Sequence, residues 1–537
     1  MISSKYERTI YHVHQVRSYN ILYDHVRWTR STDYFSLLSS EDFFVPSPHI
    51  YVFSHCPTCA MSQSTNEFRG RPGTKDQTQL SMKSLEVESS NEAVPLSMKD
   101  KPFSSFLWKG KNEFFLSQAK IAIVLVIAKI GDKWEPSYHR NENHNMPLFF
   151  MSLFVLAIAS CCTWKHTPPR DNSKVIPLSR DQTEEWKGWM QFAFIMYHYY
   201  RAFSAYNWIR VFVSSYVWMT GFGNFLYFDK KRDFSIERIV SMWIRINYFP
   251  LILSWATGVS LDLYYVVPLH TAGFFITLIT CRLAVFLESK HISYWNSRLT
   301  AIGLCLVAHI LFYETPAVDT LKYFSEEIHF RFQADKYSAW AGILSGLFMR
   351  KATEYMTWAH GSTESLTAVW TQRALGVILI ATWYLSFGYL EDKHDYNPIH
   401  PYIFMLPLLG WLMIRNSSRY LTECHSTFLE YLGRNTLETY VLQFHVFMNH
   451  SVQHIPVVIP GSGAEGPIVM KTANMLLCGV GFVFLSVWAR KITVSTQIAV
   501  TELVKTLSAP KVNYVPVQTK EKENLGFDKE GQEIEKV

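Results

Sequence analysis

The chain has 537 residues and a formal net charge of +6; 15% of it is aromatic and only 18% charged. A soluble domain carries about a quarter charged residues, and here 48% are hydrophobic. That balance excludes a disordered chain, a coiled coil, a disulfide-framed secreted scaffold and a conventional nucleic-acid binder, and leaves a polytopic membrane protein.

Residues 1–110 are polar, and within them 61–105 are rich in Ser, Lys, Glu, Gln and Asn and read as disordered. The N-terminus lacks the apolar centre of a signal peptide, so the first membrane segment is expected to act as the signal. Apolar runs begin with Phe114–Ile130, which is short and carries Lys120 and Lys129, followed by Pro147–Trp164. Further spans are expected near 189–203, 208–228, 239–257, 263–281, 299–315, 337–349, 374–390, 401–414, 428–449 and 468–488. Several fall short of the ~20 residues of a straight crossing. Only helices or closed barrels satisfy the backbone in lipid, so the expected fold is an all-α integral membrane bundle of about 10–12 transmembrane helices. It would fill residues 111–490, followed by a cytosolic tail, 491–537, whose first part, 491–508, is amphipathic enough to lie on the membrane surface. Cys161, Cys162, Cys281, Cys305 and Cys478 sit inside apolar runs and read as small core residues.

Loop charge tests the span count. The loops 165–188, 229–238, 282–298, 350–373 and 415–434 hold about 18 Lys and Arg, whereas 201–210, 258–262, 316–336, 391–400 and 450–467 hold about 6. This alternation fits ten crossings with a cytosolic C-terminal end.

Ionisable residues inside spans are costly and therefore mark candidate sites. The segment Glu184-Glu185-Trp186-Lys187-Gly188-Trp189-Met190-Gln191 leads into Tyr197-His198-Tyr199. Gln191, Ile195, His198 and Arg201 share a helical face, and His198 is expected roughly 16 Å beyond Lys187, near the bilayer midplane. An imidazole there can serve as a general base or attack an acyl thioester, or it can simply pack helices by hydrogen bonding. Arg238 and Arg245, two turns apart, form a ladder inward from a basic loop, Asp229-Lys230-Lys231-Arg232-Asp233. Such a ladder suits a phosphate-bearing ligand or a membrane anchor. Glu438 and His445 likewise share a face, either to orient His198 or bind a sugar hydroxyl, or as an interhelical clamp. His55-Cys56-Pro57-Thr58-Cys59 has two thiols at zinc spacing but no second pair, so no metal is expected. No phosphate loop, dinucleotide fingerprint or nucleophile elbow occurs.

The segment Gln182–Gln191 with Tyr197-His198-Tyr199 resembles the reduced-wall-acetylation proteins of plants. So do Tyr206-Asn207-Trp208-Ile209-Arg210, Tyr216–Phe225, Arg245 with Asn247, Tyr264-Tyr265 through Pro268 and His270, and Leu437–Tyr440 through Gln443-Phe444-His445. The wider family includes fungal capsule O-acetylation proteins and animal sialate O-acetyltransferases, and the likeness covers roughly residues 145–490. Bacterial membrane acyltransferases with an Arg-Gly eleven residues before a His are similar at Lys187-Gly188 and His198; their basic Arg-Ile segment near a Pro is similar to Arg245-Ile246 and Pro250. The resemblance implies a Golgi multi-pass O-acetyltransferase using acetyl-coenzyme A. His198 would be catalytic, with Glu438 and His445 beside it. Lys187, Gln191, Arg201, Arg210, Asn224, Arg238, Arg245 and Asn247 would contact substrates. Animal and fungal relatives carry a lumenal Ser-Asp-His hydrolase-like domain ahead of the membrane region, whereas residues 1–110 show no Gly-Asp-Ser motif. Transfer to the polysaccharide or glycan would then be direct or through a separate lumenal acetyltransferase. The rival reading is a transporter of acetyl-coenzyme A or another acetyl donor into the Golgi lumen; a weaker one is a scaffold. No nucleic acid is expected as a partner.

Overall fold

The computed structural model describes residues 103–133, 138–140, 144–168, 174–361, 364–449, 452–463 and 465–508. Two units divide the chain, Met1–Val94 and Pro95–Val537, and all described residues belong to the second. The polar stretch 61–105 except for its last residues, the thiol pair at Cys56 and Cys59, and the tail beyond Ser508 lie outside the described residues.

The described chain is almost wholly helical. It contains α1 (Phe103–Lys133), α2 (Met146–Cys162), α3 (Arg180–Tyr199), α4 (Tyr206–Lys231), α5 (Ile236–Thr257), α6 (Val266–Ser289) and α7 (Tyr294–Tyr313). A short α8 (Glu326–Asp335) precedes α9 (Ser338–His360) and α10 (Leu366–Trp383). Then come α11 (Met405–Arg415), α12 (Thr427–Arg434), α13 (Thr436–Leu442), extended by a π turn over Gln443–Phe447, and α14 (Ile468–Ser508). Serine caps set several starts: Ser179, Ser235, Ser293 and Ser325 each accept a hydrogen bond from a first-turn amide. α5 ends where Gly258 turns left-handed at φ 81°.

Ten passes run from α3 to α14, counting the helices of 400–415 as one and α12 with α13 as one, and α1 and α2 precede them. Among the described residues, six helices are long and apolar enough to cross a membrane by length and composition. The inner helices α3, α4 and α9 fall outside that group because they carry the polar groups and are buried by their neighbours rather than by lipid. Two small ladders tie the ends together: β1 (Tyr138–Arg140) pairs antiparallel with β4 (His454–Pro456), and β2 (Trp164–His166) with β3 (Cys424–Ser426).

α2 runs antiparallel to α3, since the Asn145 amide donates to the Tyr200 carbonyl and the Thr427 amide to the Thr163 carbonyl. Loops therefore gather on two faces, and the Lys- and Arg-rich set shares the face where α3 begins. The outer surface is apolar, with Phe154, Leu304 and Leu311 all exposed, as lipid contact requires.

Three expectations change. Cys161 and Cys162 are exposed rather than core; an apolar run in a membrane protein points as readily to lipid as to the interior. α3 begins at Arg180, so its middle is Trp189 and Met190, and His198 lies in its last turn rather than near its middle. α14 continues unbroken through residue 490 to Ser508. Its segment 491–508 is not a surface helix at its start: Ile492, Thr493 and Thr496 are buried, and Gln118 donates to Thr496 at 3.2 Å.

Candidate functional site

α3 meets α12 at backbone contact. A Cβ on Gly188 would run into the Leu429 carbonyl, and one on Gly433 into the Glu184 carbonyl. Small residues allow this approach, the usual basis of close helix pairing in membranes. It brings one stripe of α3 (Arg180, Glu184, Lys187, Gln191 and Phe194) onto a single cavity of about 430 Å³. These residues recur every three or four positions, so they share a face, and from Arg180 to Phe194 the stripe spans ~21 Å. α5 adds Arg245, α6 adds Val266, Val267 and His270, α12 and α13 add Arg434 and Tyr440, and α14 adds Arg490.

Charge is unevenly distributed over this lining. Arg180, Lys187, Arg245, Arg434 and Arg490 face it, with Glu184 the lining carboxylate. Lys187 pairs with Glu184 at 2.7 Å, and Arg434 with Glu430 outside the lining. Arg245 donates to Glu438 at 2.6 Å and 3.4 Å. Glu438 is fully buried and also accepts from Thr493 Oγ1 at 3.0 Å. The deep end is apolar and aromatic, formed by Phe194, Val213, Val266, Val267 and Tyr440. The arrangement suits an elongated ligand with anionic groups at one end and a slender apolar arm at the other.

Of the residues singled out from sequence, Lys187, Gln191 and Arg245 line the cavity. Glu438 stands behind Arg245. The remainder are not in the lining. His198 is half-buried one turn beyond Phe194, its ring 4.7 Å from that of Phe194 and 6.2 Å from that of Phe444. Phe194 and Tyr440, whose rings lie 5.9 Å apart, therefore form a partition between the cavity and His198. His445 is fully buried: Nδ1 lies 2.5 Å from Asp132 Oδ2, and Nε2 meets the Tyr264 hydroxyl. Neither Glu438 nor His445 is brought against His198. Arg238 lies over the Tyr227 ring at 3.9 Å, and Arg201 over Phe203 at 5.3 Å. Arg210 is buried in an ion pair with Asp335. Asn224 donates to the Thr220 carbonyl at 2.8 Å. Asn247 joins α5 to α6 by accepting from Thr271 at 3.0 Å.

Sequence reasoning missed Arg180, Arg434 and Arg490, which sit at helix ends or past an assumed boundary, and it did not assign His270 a role. Glu185, part of the same dense polar segment, turns away from the cavity. Arg415 donates to it at 3.0 Å and 3.1 Å, and the Ser426 amide at 2.7 Å, so it clamps α3 to α11 and β3. Among the described residues no group of three or more His, Cys, Asp and Glu is arranged to hold a metal ion.

Comparison with known proteins bears on this geometry. The family described as "10 TM Acyl Transferase domain found in Cas1p" matches residues 49–512. The N-acetylneuraminate (7)9-O-acetyltransferase of Danio rerio is 26% identical over 381 residues, 66% of this chain and 47% of that protein. The chain thus spans about half the length of that relative. No solved structure matches it.

Proposed function

The chain belongs to the ten-span acyltransferase family found in Cas1p, and from that premise we propose that it transfers acetyl groups from acetyl-coenzyme A to hydroxyls of a glycan. One observation carries the reading: five cations and one lining carboxylate surround a cavity whose deep end is apolar. Coenzyme A carries its phosphate charges at the nucleotide end, from which a long, slender, uncharged pantetheine arm leads to the thiol. Arg180, Arg434 and Arg490 would meet the phosphates at the mouth, Lys187 and Arg245 would neutralise charge further in, and the arm would run along Phe194, Val213 and Val266. Guanidinium groups suit phosphate because their planar forks give charge-assisted bonds.

His198, on the far side of the Phe194–Tyr440 partition, would take the proton from the acceptor hydroxyl as general base. The acceptor side would then face the Golgi lumen and the basic face the cytosol, as the loop charges favour. The relative's printed name makes a glycan hydroxyl the natural acceptor class; a polysaccharide or a separate lumenal acetyltransferase would receive the group in this chain's setting.

The test uses purified protein in detergent with acetyl-labelled acetyl-coenzyme A and oligosaccharide acceptors. The expected result is acceptor acetylation by the wild type. Arg245→Ala should weaken donor binding by roughly tenfold or more, consistent with loss of one charge-assisted contact. His198→Ala should bind donor normally but transfer at least about a hundredfold more slowly. Donor binding without thioester cleavage, together with uptake of intact donor into liposomes, would favour the transporter reading instead.

A further inference from the structure

The proposed function leaves open which group first meets the thioester. His270 lies one turn into α6, touches Thr220 of α4 and lines the cavity. Its Nδ1 is 2.5 Å from Thr220 Oγ1. Thr220 Oγ1 in turn donates to the Tyr216 carbonyl at 3.3 Å. A hydroxyl has a single hydrogen, so with that hydrogen given to Tyr216, Thr220 accepts from His270 Nδ1–H. In that tautomer, the one the proposal uses, the lone pair is on Nε2, the ring nitrogen turned away from Thr220. Tyr216 is itself anchored, its hydroxyl donating to the Lys187 carbonyl at 2.7 Å.

A second group converges on the same space. Gln191 is only 5% exposed and lines the cavity, and its Nε2 has no hydrogen-bond acceptor among the described residues. An amide donor buried without a partner costs free energy. A ligand oxygen in the cavity would repay that cost. An imidazole lone pair and an unsatisfied amide donor, each one turn along its helix from the apolar lining of Val266 or Phe194, form a pair suited to a carbonyl group. One supplies a nucleophile and the other a hydrogen bond to the oxygen that becomes negative.

We propose that His270 is the catalytic residue that accepts the acetyl group from the donor, with Gln191 stabilising the oxyanion; this rests on the acetyl-coenzyme A reading above. His270 Nε2 attacks the thioester carbonyl carbon. The new C–N bond forms, the C–S bond breaks, and sulfur leaves with the electron pair as the coenzyme A thiolate. Acetyl-imidazolium remains, its Nδ1–H still bonded to Thr220. An acceptor hydroxyl then attacks the acetyl carbon, the C–N bond breaks, and neutral His270 is restored. The hydroxyl proton balances the thiolate, so the sum is thioester plus alcohol giving ester plus thiol. Holding the group covalently lets coenzyme A leave before the acceptor hydroxyl comes in past Phe194 and Tyr440, on whose far side His198 stands.

Full-length protein in detergent, mixed with acetyl-labelled acetyl-coenzyme A and no acceptor, tests this by rapid acid quench and peptide mass spectrometry. The wild type should release a burst of coenzyme A and carry a hydroxylamine-labile acetyl group on the peptide containing His270. His270→Ala should bind coenzyme A within about threefold of wild type and lose the burst by at least about a hundredfold. Added imidazole should restore coenzyme A release in that variant, which a structural role would not allow. Thr220→Val, which removes the hydroxyl but keeps the shape, should slow the burst and displace its pH profile. A wild-type burst in His270→Ala, or label found on His198, overturns the proposal while leaving donor use intact. Should His270→Ala fail to bind coenzyme A, Thr220→Val decides, and an unchanged burst and pH profile there sinks the idea. If wild type neither binds nor cleaves acetyl-coenzyme A, it is the underlying reading that fails.

Discussion

Arg245 reaches into the cavity from half-buried surroundings, and what holds it there is Glu438, a fully buried carboxylate that does not line the cavity. Breaking a buried pair by removing one partner typically costs about 3–5 kcal/mol, because the other charge is left uncompensated, whereas replacing both by apolar groups is often neutral. Glu438→Ala should therefore lower the thermal midpoint in detergent clearly. The double variant Arg245→Met with Glu438→Leu should recover most of that stability yet still bind acetyl-coenzyme A poorly. Arg210 is the contrasting case. Its pair with Asp335 is also joined by Ser214, which donates to Asp335 at 2.5 Å and lies 2.7 Å from His400 Nε2. This network lies outside the cavity lining, so Arg210→Ala should destabilise the protein by a similar ~3–5 kcal/mol while the folded fraction keeps its donor affinity. Coenzyme A titrations on the two variants after thermal screening check both statements. Equal loss of donor affinity in the two would show that Arg210 contacts ligand.

At the scale of elements, the contact of α3 with α12 sets how far Lys187 and Arg434 stand apart. Gly188 and Gly433 are packed against carbonyl oxygens of the facing helix, so even a methyl group forces the helices to separate. Overpacking of this kind typically costs about 1–3 kcal/mol. Gly188→Ala should lower both thermal stability and donor affinity. Gly303→Ala is the control: it lies on α7 with nothing within 4 Å of the added carbon, and a helix-interior Gly→Ala change in open space is neutral or favourable by a few tenths to about 1 kcal/mol. A Gly188→Ala protein with unchanged stability and affinity would mean that the two helices part without cost.

Considered as a whole, the molecule encloses its cavity between helices distant in sequence, from α3 near the start of the bundle to α14 at its end. Thr493 of α14 bonds Glu438, and Gln497 bonds Ser241 of α5 at 2.9 Å. A chain ended after Arg490 should lose donor binding and assemble poorly, whereas one ended after Ser508 should keep both; size-exclusion profiles and coenzyme A titration distinguish them. The excess of cations also predicts an ionic-strength dependence. Donor affinity should fall steadily between about 50 mM and 500 mM salt, as screening shortens the reach of the mouth arginines. A flat response would argue against phosphate recognition at Arg180, Arg434 and Arg490.

The architecture was legible in the sequence because its cause is local to each segment. Apolar runs and alternating loop charge are one-dimensional signals of lipid and of sidedness, and they gave the helical bundle and most of its passes. The same local logic identified Lys187, Gln191 and Arg245, whose charge or polarity within a span is costly anywhere along it. Which polar groups converge depends instead on helix rotation and on contacts between distant segments. Glu438 faces Arg245 rather than His198, and His445 is tied to Asp132 and Tyr264, outcomes that no spacing within one helix encodes. The place of His198 in the last turn of its helix was not legible, because the apolar run starts near 189 whereas the helix starts at Arg180 behind the Ser179 cap. The imidazole that lines the cavity is His270, and only the tertiary structure placed Thr220 of α4 beside its Nδ1.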